Sequence, residues 1–322
     1  MKTIDIFNGD ADGVCALHQL RLAEPCDSVL VTGPKREIAL VKRVTASAGD
    51  RLTVLDVSLD KNRDAVLAAL AAGAAVRYFD HHQPGEIPVH PAFEPHIDTD
   101  ANVCTSLLVN AHLGGRYLPW AVTAAFGDNL DAAARAAAAP LGLTETQLAT
   151  LRELGVCLNY NGYGETLADL HFDPAELYRQ LRPYADPFAF AAESPAFRTL
   201  AAGYADDLAR VDALAPHEAR AAGRVFVLPA EKWARRISGV WGNALATASP
   251  AQAHAVLTAK PGGGFVVSVR APLADKQGAD TLCSQFETGG GRRGAAGVNH
   301  LPDADFGRFV AAFFATYENL PA

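Results

Sequence analysis

Four short β-rich runs fall within the first 80 residues, at 3–7 (TIDIF), 28–32 (SVLVT), 52–57 (LTVLDV) and 74–79 (AAVRYF), with helical patterns between them at 14–22, 35–47 and 61–72. This alternation restricts the fold more than any other feature of the chain. Strands divided by helices pair in parallel, because each crossover returns the chain to the same end of the sheet, and a doubly wound α/β domain results. The runs are close to continuously apolar, as strands are when helices cover both faces. Residues 84–95 are Pro-rich and read as a loop, after which helices are expected over 103–112 and 119–131.

Past residue 135 the texture changes. Residues 136–219 are Ala-rich and helical in pattern, with an expected loop at 159–164 (NYNGYG). From about 220 strands return, at 224–228, 254–258 and 265–270, with a helix over 234–246, a Pro-Gly-Gly-Gly turn at 261–264 and a closing helix over 306–317. The expected organisation is therefore an α/β domain over 1–135, a helical connector over 136–219 and a smaller α/β domain over 220–322. A chain of 322 residues is long enough for two cores.

In an open parallel sheet, ligands bind in the crevice beyond the carboxyl ends of the strands. Asp10-Ala11-Asp12-Gly13 follows the first run directly, Asp56 sits near the end of the third, and Asp80-His81-His82 follows the fourth. Three separate stretches thus deliver Asp and His side chains to one sheet edge, and Asp128, in Gly127-Asp128-Asn129, is placed to join them from a helix. Carboxylate oxygens with imidazole nitrogen suit Mn²⁺, Mg²⁺ or a similar hydrolytic metal. Two such ions a few ångströms apart clamp a phosphoryl group and activate a water, and Asp56 on its central strand is the candidate bridge. Each motif alone is ambiguous, since Asp-x-Asp-Gly is frequent in turns and an Asp can simply cap a helix. A calcium loop fails on context: a strand precedes the motif, and Gln19 stands where a bidentate Glu is needed. The two motifs together, in this order and both at strand ends, carry the inference.

Asp10-Ala11-Asp12-Gly13, the lone Asp56 and Asp80-His81-His82 together resemble the DHH phosphoesterase superfamily, which includes RecJ-like exonucleases, nanoRNases, cyclic-dinucleotide phosphodiesterases and class II inorganic pyrophosphatases. The resemblance implies two Mn²⁺ or Mg²⁺ ions, with Asp10, Asp12, Asp56, Asp80, His81 and Asp128 as ligands or their neighbours. It implies catalytic roles for Asp80 and His82, with His82 facing the substrate phosphate or the leaving group. Many members carry a His two or four residues before the first Asp; here those positions hold Asn8 and Ile6.

Near the C-terminus, residues 289–297 read Gly-Gly-Gly-Arg-Arg-Gly-Ala-Ala-Gly. Glycines let backbone approach a phosphate, and arginines add bidentate donors, though a tight structural turn explains the glycines equally well. The segment resembles the end of the DHHA1 domain that follows many DHH domains, with Arg292 in place of a His. By that resemblance Gly289, Gly290, Gly291, Arg292 and Arg293 would bind substrate, and Arg270, closing the run 265–270, would clamp a nucleotide phosphate. Arg235 and Arg236 are weaker candidates, and Tyr160, Tyr163 and Trp241 are the aromatics considered for base stacking.

The formal net charge of −8 argues against a grip on duplex DNA, which calls for a basic face. The expected partner is a short single-stranded oligonucleotide or a small nucleotide, with no membrane partner and a homodimer left open. Asp5 stands where a signal peptide is apolar, no apolar run reaches bilayer length, and the five cysteines are scattered, so a cytoplasmic protein without a disulfide framework or structural zinc is expected. Two other functions stay open on the sequence: a non-catalytic nucleotide sensor, favoured by Asn8 and Arg292, and a pyrophosphatase-like hydrolase.

Overall fold

The computed structural model describes residues 1–318, which divide into two compact units between Gly203 and Tyr204. The first unit opens with β1 (Thr3–Phe7), α1 (Ala11–Ala23), β2 (Val29–Val31), β3 (Arg51–Leu55), α2 (Leu59–Ala71), β4 (Ala75–Asp80) and β5 (Phe93–Ile97). The five strands form one parallel sheet in the order β2-β1-β3-β4-β5. Alternate side chains face opposite layers, as strand geometry requires. Ile4, Ile6, Leu52, Val54, Val76 and Tyr78 share a core with Val66 and Leu70 of α2. Behind the other face lies α1, buried from Ala11 to Leu20.

The rest of this unit is helical: α3 (Thr105–His112), α4 (Leu118–Gly127), α5 (Asp131–Ala138), α6 (Glu145–Gly162), α7 (Pro174–Leu181) and α8 (Pro187–Glu193), followed by α9 (Pro195–Asp212), within which the division falls. α6 packs along α4 and touches α1 and α8, so most of the stretch read as a connector clusters with the first unit. Val122 and Phe126 of α4 meet Leu148 and Leu151 of α6 in a shared core.

The second unit holds β6 (Glu218–Arg220), β7 (Gly223–Leu228), α10 (Lys232–Ala248), β8 (Ala253–Ala259), β9 (Phe265–Arg270), α11 (Ala279–Cys283), β10 (Gly289–Arg292), β11 (Ala295–Leu301) and α12 (Phe306–Glu318). Its six-stranded sheet runs β10-β11-β9-β8-β7-β6, antiparallel except where β7 meets β8. Phe309, Phe313 and Phe314 of α12 lie in the core with Val267, Val269 and Val298. The chain is thus a doubly wound parallel-sheet unit with a smaller α/β unit. No helix among the described residues is long and apolar enough to cross a membrane.

Three local expectations fail for physical reasons. Residues 35–47 hold only one 3-10 turn, Leu40–Arg43, because the Asn62 side chain takes the Val41 N–H and donates to the Ile38 carbonyl, while Arg43 donates to that of Thr32. The Pro-rich stretch contains a strand, β5, tolerated with Pro95 inside it because it is the sheet edge. The expected loop at 159–164 is helix as far as Gly162, since Asn161 finds both its hydrogen bonds on the Phe172 backbone (2.9 and 3.0 Å).

Candidate metal centre

From β1 the chain crosses to β2 on one side and later to β3 on the other, so the strand order reverses between β1 and β3. A sheet of this order opens its crevice there, beyond the strand C-termini. Asp10 and Asp12 arrive three and five residues past the end of β1. Asp10 is the N-cap of α1, its Oδ1 accepting from the Asp12 and Gly13 N–H groups at 3.0 and 3.1 Å. Asp12 points across to the first turn of α3, where its two oxygens accept from Thr105 N and Ser106 N, both at 2.7 Å. Neither Thr105 nor Ser106 stood out in the sequence, because backbone donors carry no residue signature.

Asp56 follows β3 with φ +59°, a left-handed conformation uncommon outside glycine. It is buried, and its Oδ1 accepts from Thr105 Oγ1 (3.2 Å) and lies 3.5 Å from His81 Nε2. Asp80 ends β4, fully buried. Its Oδ1 accepts from His82 Nδ1 at 2.7 Å, and its Oδ2 has no hydrogen-bond partner. His81 bonds the Val103 carbonyl through Nδ1 (2.9 Å), which leaves Nε2 for Asp56 and for Asp128 Oδ2 at 3.9 Å. His82 is the more open of the pair, its side chain 36% exposed. Asp128 caps the C-terminus of α4, which carries it to the same place. Asp10, Asp12, Asp56, Asp80, His81, His82 and Asp128 are therefore gathered at one sheet edge.

The sequence reading missed one charged participant. Lys35, in the turn after β2, puts its Nζ 2.5 Å from Asp10 Oδ2, 3.3 Å from Asp128 Oδ1 and 3.3 Å from Asn159 Oδ1 of α6. Its ammonium also lies 5.6 Å from the centre of the Tyr163 ring, a cation–π approach that gives Tyr163 a role other than base stacking. Lys35 follows its strand much as Asp10 follows β1, and that placement was the available signal. Asn8 holds the loop together: its Oδ1 accepts from Asp10 N (3.3 Å) and its Nδ2 donates to the Lys35 carbonyl (3.4 Å).

So many acids in one place perturb one another. Burial pushes the Asp56 carboxyl well up, and repulsion from Asp10 and Asp12 adds to it. Burial also raises Asp12, with help from Asp128 and Asp10 and against the pull of His81. Asp10 goes the other way: burial is opposed by the Lys35 ammonium and by backbone donors, and the carboxyl ends below its usual range. The His81 imidazole, despite its burial, is raised to about 10 by Asp56, Asp12 and Asp128. Lys35 is likewise held above its ordinary value against burial, first by Asp10.

These residues fit a divalent cation. Asp80 Oδ2 is a buried carboxylate oxygen without a donor, and such a group is stabilised by a cation. Ligand atoms of Asp12, His81 and Asp128 lie within 4.8 Å of one another, and so do those of Asp56, His81 and His82. A His that bonds a backbone carbonyl through one nitrogen and faces acids with the other has the usual posture of a metal ligand.

In the second unit the segment expected as a phosphate loop is a hairpin, β10 and β11. Two of its glycines answer to backbone packing: a Cβ on Gly289 would lie 2.6 Å from Cys283 C, and one on Gly291 2.5 Å from Ala296 Cα, while Gly290 meets nothing. Arg292 pairs with Ala295, which pairs in turn with Arg270, so the two arginines share a sheet face, two strand spacings or about 10 Å apart. Arg270 is anchored by Asn243 Oδ1 (2.7 Å) and Ser268 Oγ (2.9 Å), and Arg293 by Gln277. Arg236 pairs with Asp207, Tyr160 is buried against His171, and Trp241 is buried beside Phe226.

No family model and no curated protein sequence matches the chain. Solved structures do. An exonuclease RecJ bound to manganese superposes with a TM-score of 0.64 at 19% identity, over 99% of this chain and 91% of that one. A RecJ from Thermus thermophilus, in complex with Mn²⁺, gives 0.59 at 19% identity over 99% of this chain, which spans about half (52%) of that longer protein. A pGpG-specific phosphodiesterase, PggH from Vibrio cholerae, gives 0.58 at 14% identity over 99% of both chains.

Proposed function

We propose that this chain, whose fold is that of the RecJ-like DHH proteins, is a metal-dependent phosphodiesterase acting on short oligonucleotides or small nucleotides. The observation that carries the proposal is the cluster of buried carboxylates and His81 at the sheet's switch point, including an Asp80 oxygen with no donor. Structures of the same fold that are described as manganese-bound exonuclease and as pGpG phosphodiesterase support the reaction class. Asp12, Asp56, Asp80, His81 and Asp128 are the proposed metal ligands, with Asp10 beside them. When bound, a divalent ion supplies Lewis-acid stabilisation of phosphoryl oxygens and a more acidic water. Asp80 fixes the His82 ring through Nδ1, which leaves Nε2 to pass a proton to the departing oxygen as a water oxygen bonds to phosphorus and the P–O ester bond breaks. Arg270 and Arg292, with Arg293 and the glycines Gly289, Gly290 and Gly291 near them, are proposed to take substrate phosphate. The net charge of −8 favours a short substrate over a long duplex.

The test is hydrolysis, in Mn²⁺ and in Mg²⁺, of a dinucleotide, a short RNA, a single-stranded DNA, a cyclic dinucleotide, an adenosine bisphosphate and pyrophosphate. Metal-dependent mononucleotide release is expected from the short diesters, and the Asp80→Ala/His81→Ala double variant is expected to lose it while remaining folded. Wild-type rates in that variant would refute the site assignment. Phosphate release from pyrophosphate alone would favour a pyrophosphatase, and nucleotide binding without turnover a sensor.

A further inference from the structure

Lys35 deepens the proposed function and rests on it. Its side chain is 25% exposed, and the position of its backbone is fixed from two directions. Lys35 N–H donates to the Gly162 carbonyl at the end of α6 (2.8 Å), and its own carbonyl accepts from Asn8. The ammonium spans Asp10 Oδ2 and Asp128 Oδ1. Asp10 thereby has two backbone N–H groups on Oδ1 and the ammonium on Oδ2.

The donor sets left over compete for one atom. Asp12, His81 and Asp128 form one group and Asp56, His81 and His82 another. His81 Nδ1 is taken by the Val103 carbonyl, so both groups depend on His81 Nε2. An imidazole nitrogen has one lone pair and binds one metal, so the two groups cannot both be complete. Asp128 meanwhile turns one oxygen to Lys35 and the other toward His81, linking the ammonium to the remaining ligand set.

We infer that the Lys35 ammonium is a built-in second cation of this centre, holding Asp10 and Asp128 in place of a second metal, so that the centre takes a single divalent ion. Lys35 is on this account a positioning residue that supplies fixed charge.

The experiment is Mn²⁺ binding to the metal-stripped full chain, by calorimetry and elemental analysis, with electron paramagnetic resonance at excess Mn²⁺. Wild type should bind about one ion and show the spectrum of an isolated Mn²⁺. Lys35→Ala releases Asp10 Oδ2 and Asp128 Oδ1, oxygens that do not depend on His81, and should bind about two ions and show the exchange-coupled spectrum of a pair a few ångströms apart. A coupled pair in the wild type overturns the inference, as does a wild type that binds no ion, or a folded Lys35→Ala that still binds one. The wild-type spectrum decides even when the variant does not fold. Single-ion binding without hydrolysis of any substrate would sink the proposed function and leave this inference standing; hydrolysis with a coupled pair would do the reverse.

Discussion

Gly155 sits in the middle of α6, where helix propensity alone says that alanine is better by about 1 kcal/mol. The structure predicts the opposite sign for Gly155→Ala. A Cβ there would be driven into the Thr123 carbonyl and would lie 2.8 Å from Gly127 N, against the 3.4 Å at which ordinary contact begins. Both obstacles are backbone of α4 and cannot rotate away, so the helices must separate. Overpacking of this kind costs about 3 kcal/mol, which outweighs the propensity gain and leaves a net loss of about 2 kcal/mol. In a unit of about 200 residues that lowers the melting temperature by about 4–8 °C. The matched control is Gly242→Ala in α10, where the added carbon meets only Arg270 Cγ at 3.9 Å; there the propensity term stands alone and stability should rise by about 1 kcal/mol. Urea unfolding followed by hydrogen exchange and mass spectrometry reads the two units separately. If Gly155→Ala is as stable as wild type, the close approach of α4 and α6 is not as described and the reasoning fails.

His18 is buried, its Nε2 bonds the Tyr184 carbonyl at 2.8 Å, and burial lowers its pKa to about 4 from 6.5. The unfolded chain therefore takes up the proton first, and stability present above pH 6.5 should decline as pH falls toward 4 by up to about 3 kcal/mol; His18→Gln should flatten that slope in the first unit, and an unchanged slope contradicts the assignment. Arg21 forms a two-pronged pair with the buried Asp5, through Nε at 2.8 Å and Nη2 at 2.5 Å. Arg21→Ala strands a buried carboxylate and should cost about 3–5 kcal/mol, much of it recovered when Asp5 is also replaced by Ala; chemical denaturation of both variants checks this. Asp56→Asn keeps a side chain that tolerates φ +59° while removing one of three mutually repelling buried acids. The metal-free variant should gain about 1–2 kcal/mol and lose most of its Mn²⁺ affinity, and a drop in metal-free stability with affinity intact would count against this reading of the cluster.

Where apolar runs ended in turn residues, the sequence announced the strands, and β1, β3 and β4 fall within two residues of the expected places. It was silent where long-range partners overrule local preference. β5 contains a proline, and only its position at the edge makes that harmless. α6 runs through Asn159 and Asn161, poor helix formers, because one meets Lys35 and the other the Phe172 backbone. The acids and histidines of the site were legible because each sits within five residues of a strand end or in a short motif. Lys35 stands four residues past β2 but in no motif, and what gives it a role is its partners Asp10, Asp128 and Asn159, the last two 93 and 124 residues away.

What brings these charges together is packing that composition does not reveal. Gly162 lets the end of α6 press on the Asp10 loop, for a Cβ there would lie 2.9 Å from both Asp10 Cα and Cβ. Gly13 does the same beneath it, 2.8 Å from Asn8 N, and Gly127 lets α4 approach both α1 and α6, 2.5 Å from Ala11 Cβ and 2.7 Å from the Gly155 carbonyl. These glycines matter because the groups they gather repel: Asp12 and Asp56 both have raised carboxyl pKa values from burial and from neighbouring acids. Side-chain attraction among carboxylates cannot assemble such a cluster, so the surrounding backbone must hold it in place before any cation binds. The stability of the helical layer and the affinity of the centre are for that reason coupled, and a methyl group inserted between α4 and α6 should weaken Mn²⁺ binding even though it touches no ligand.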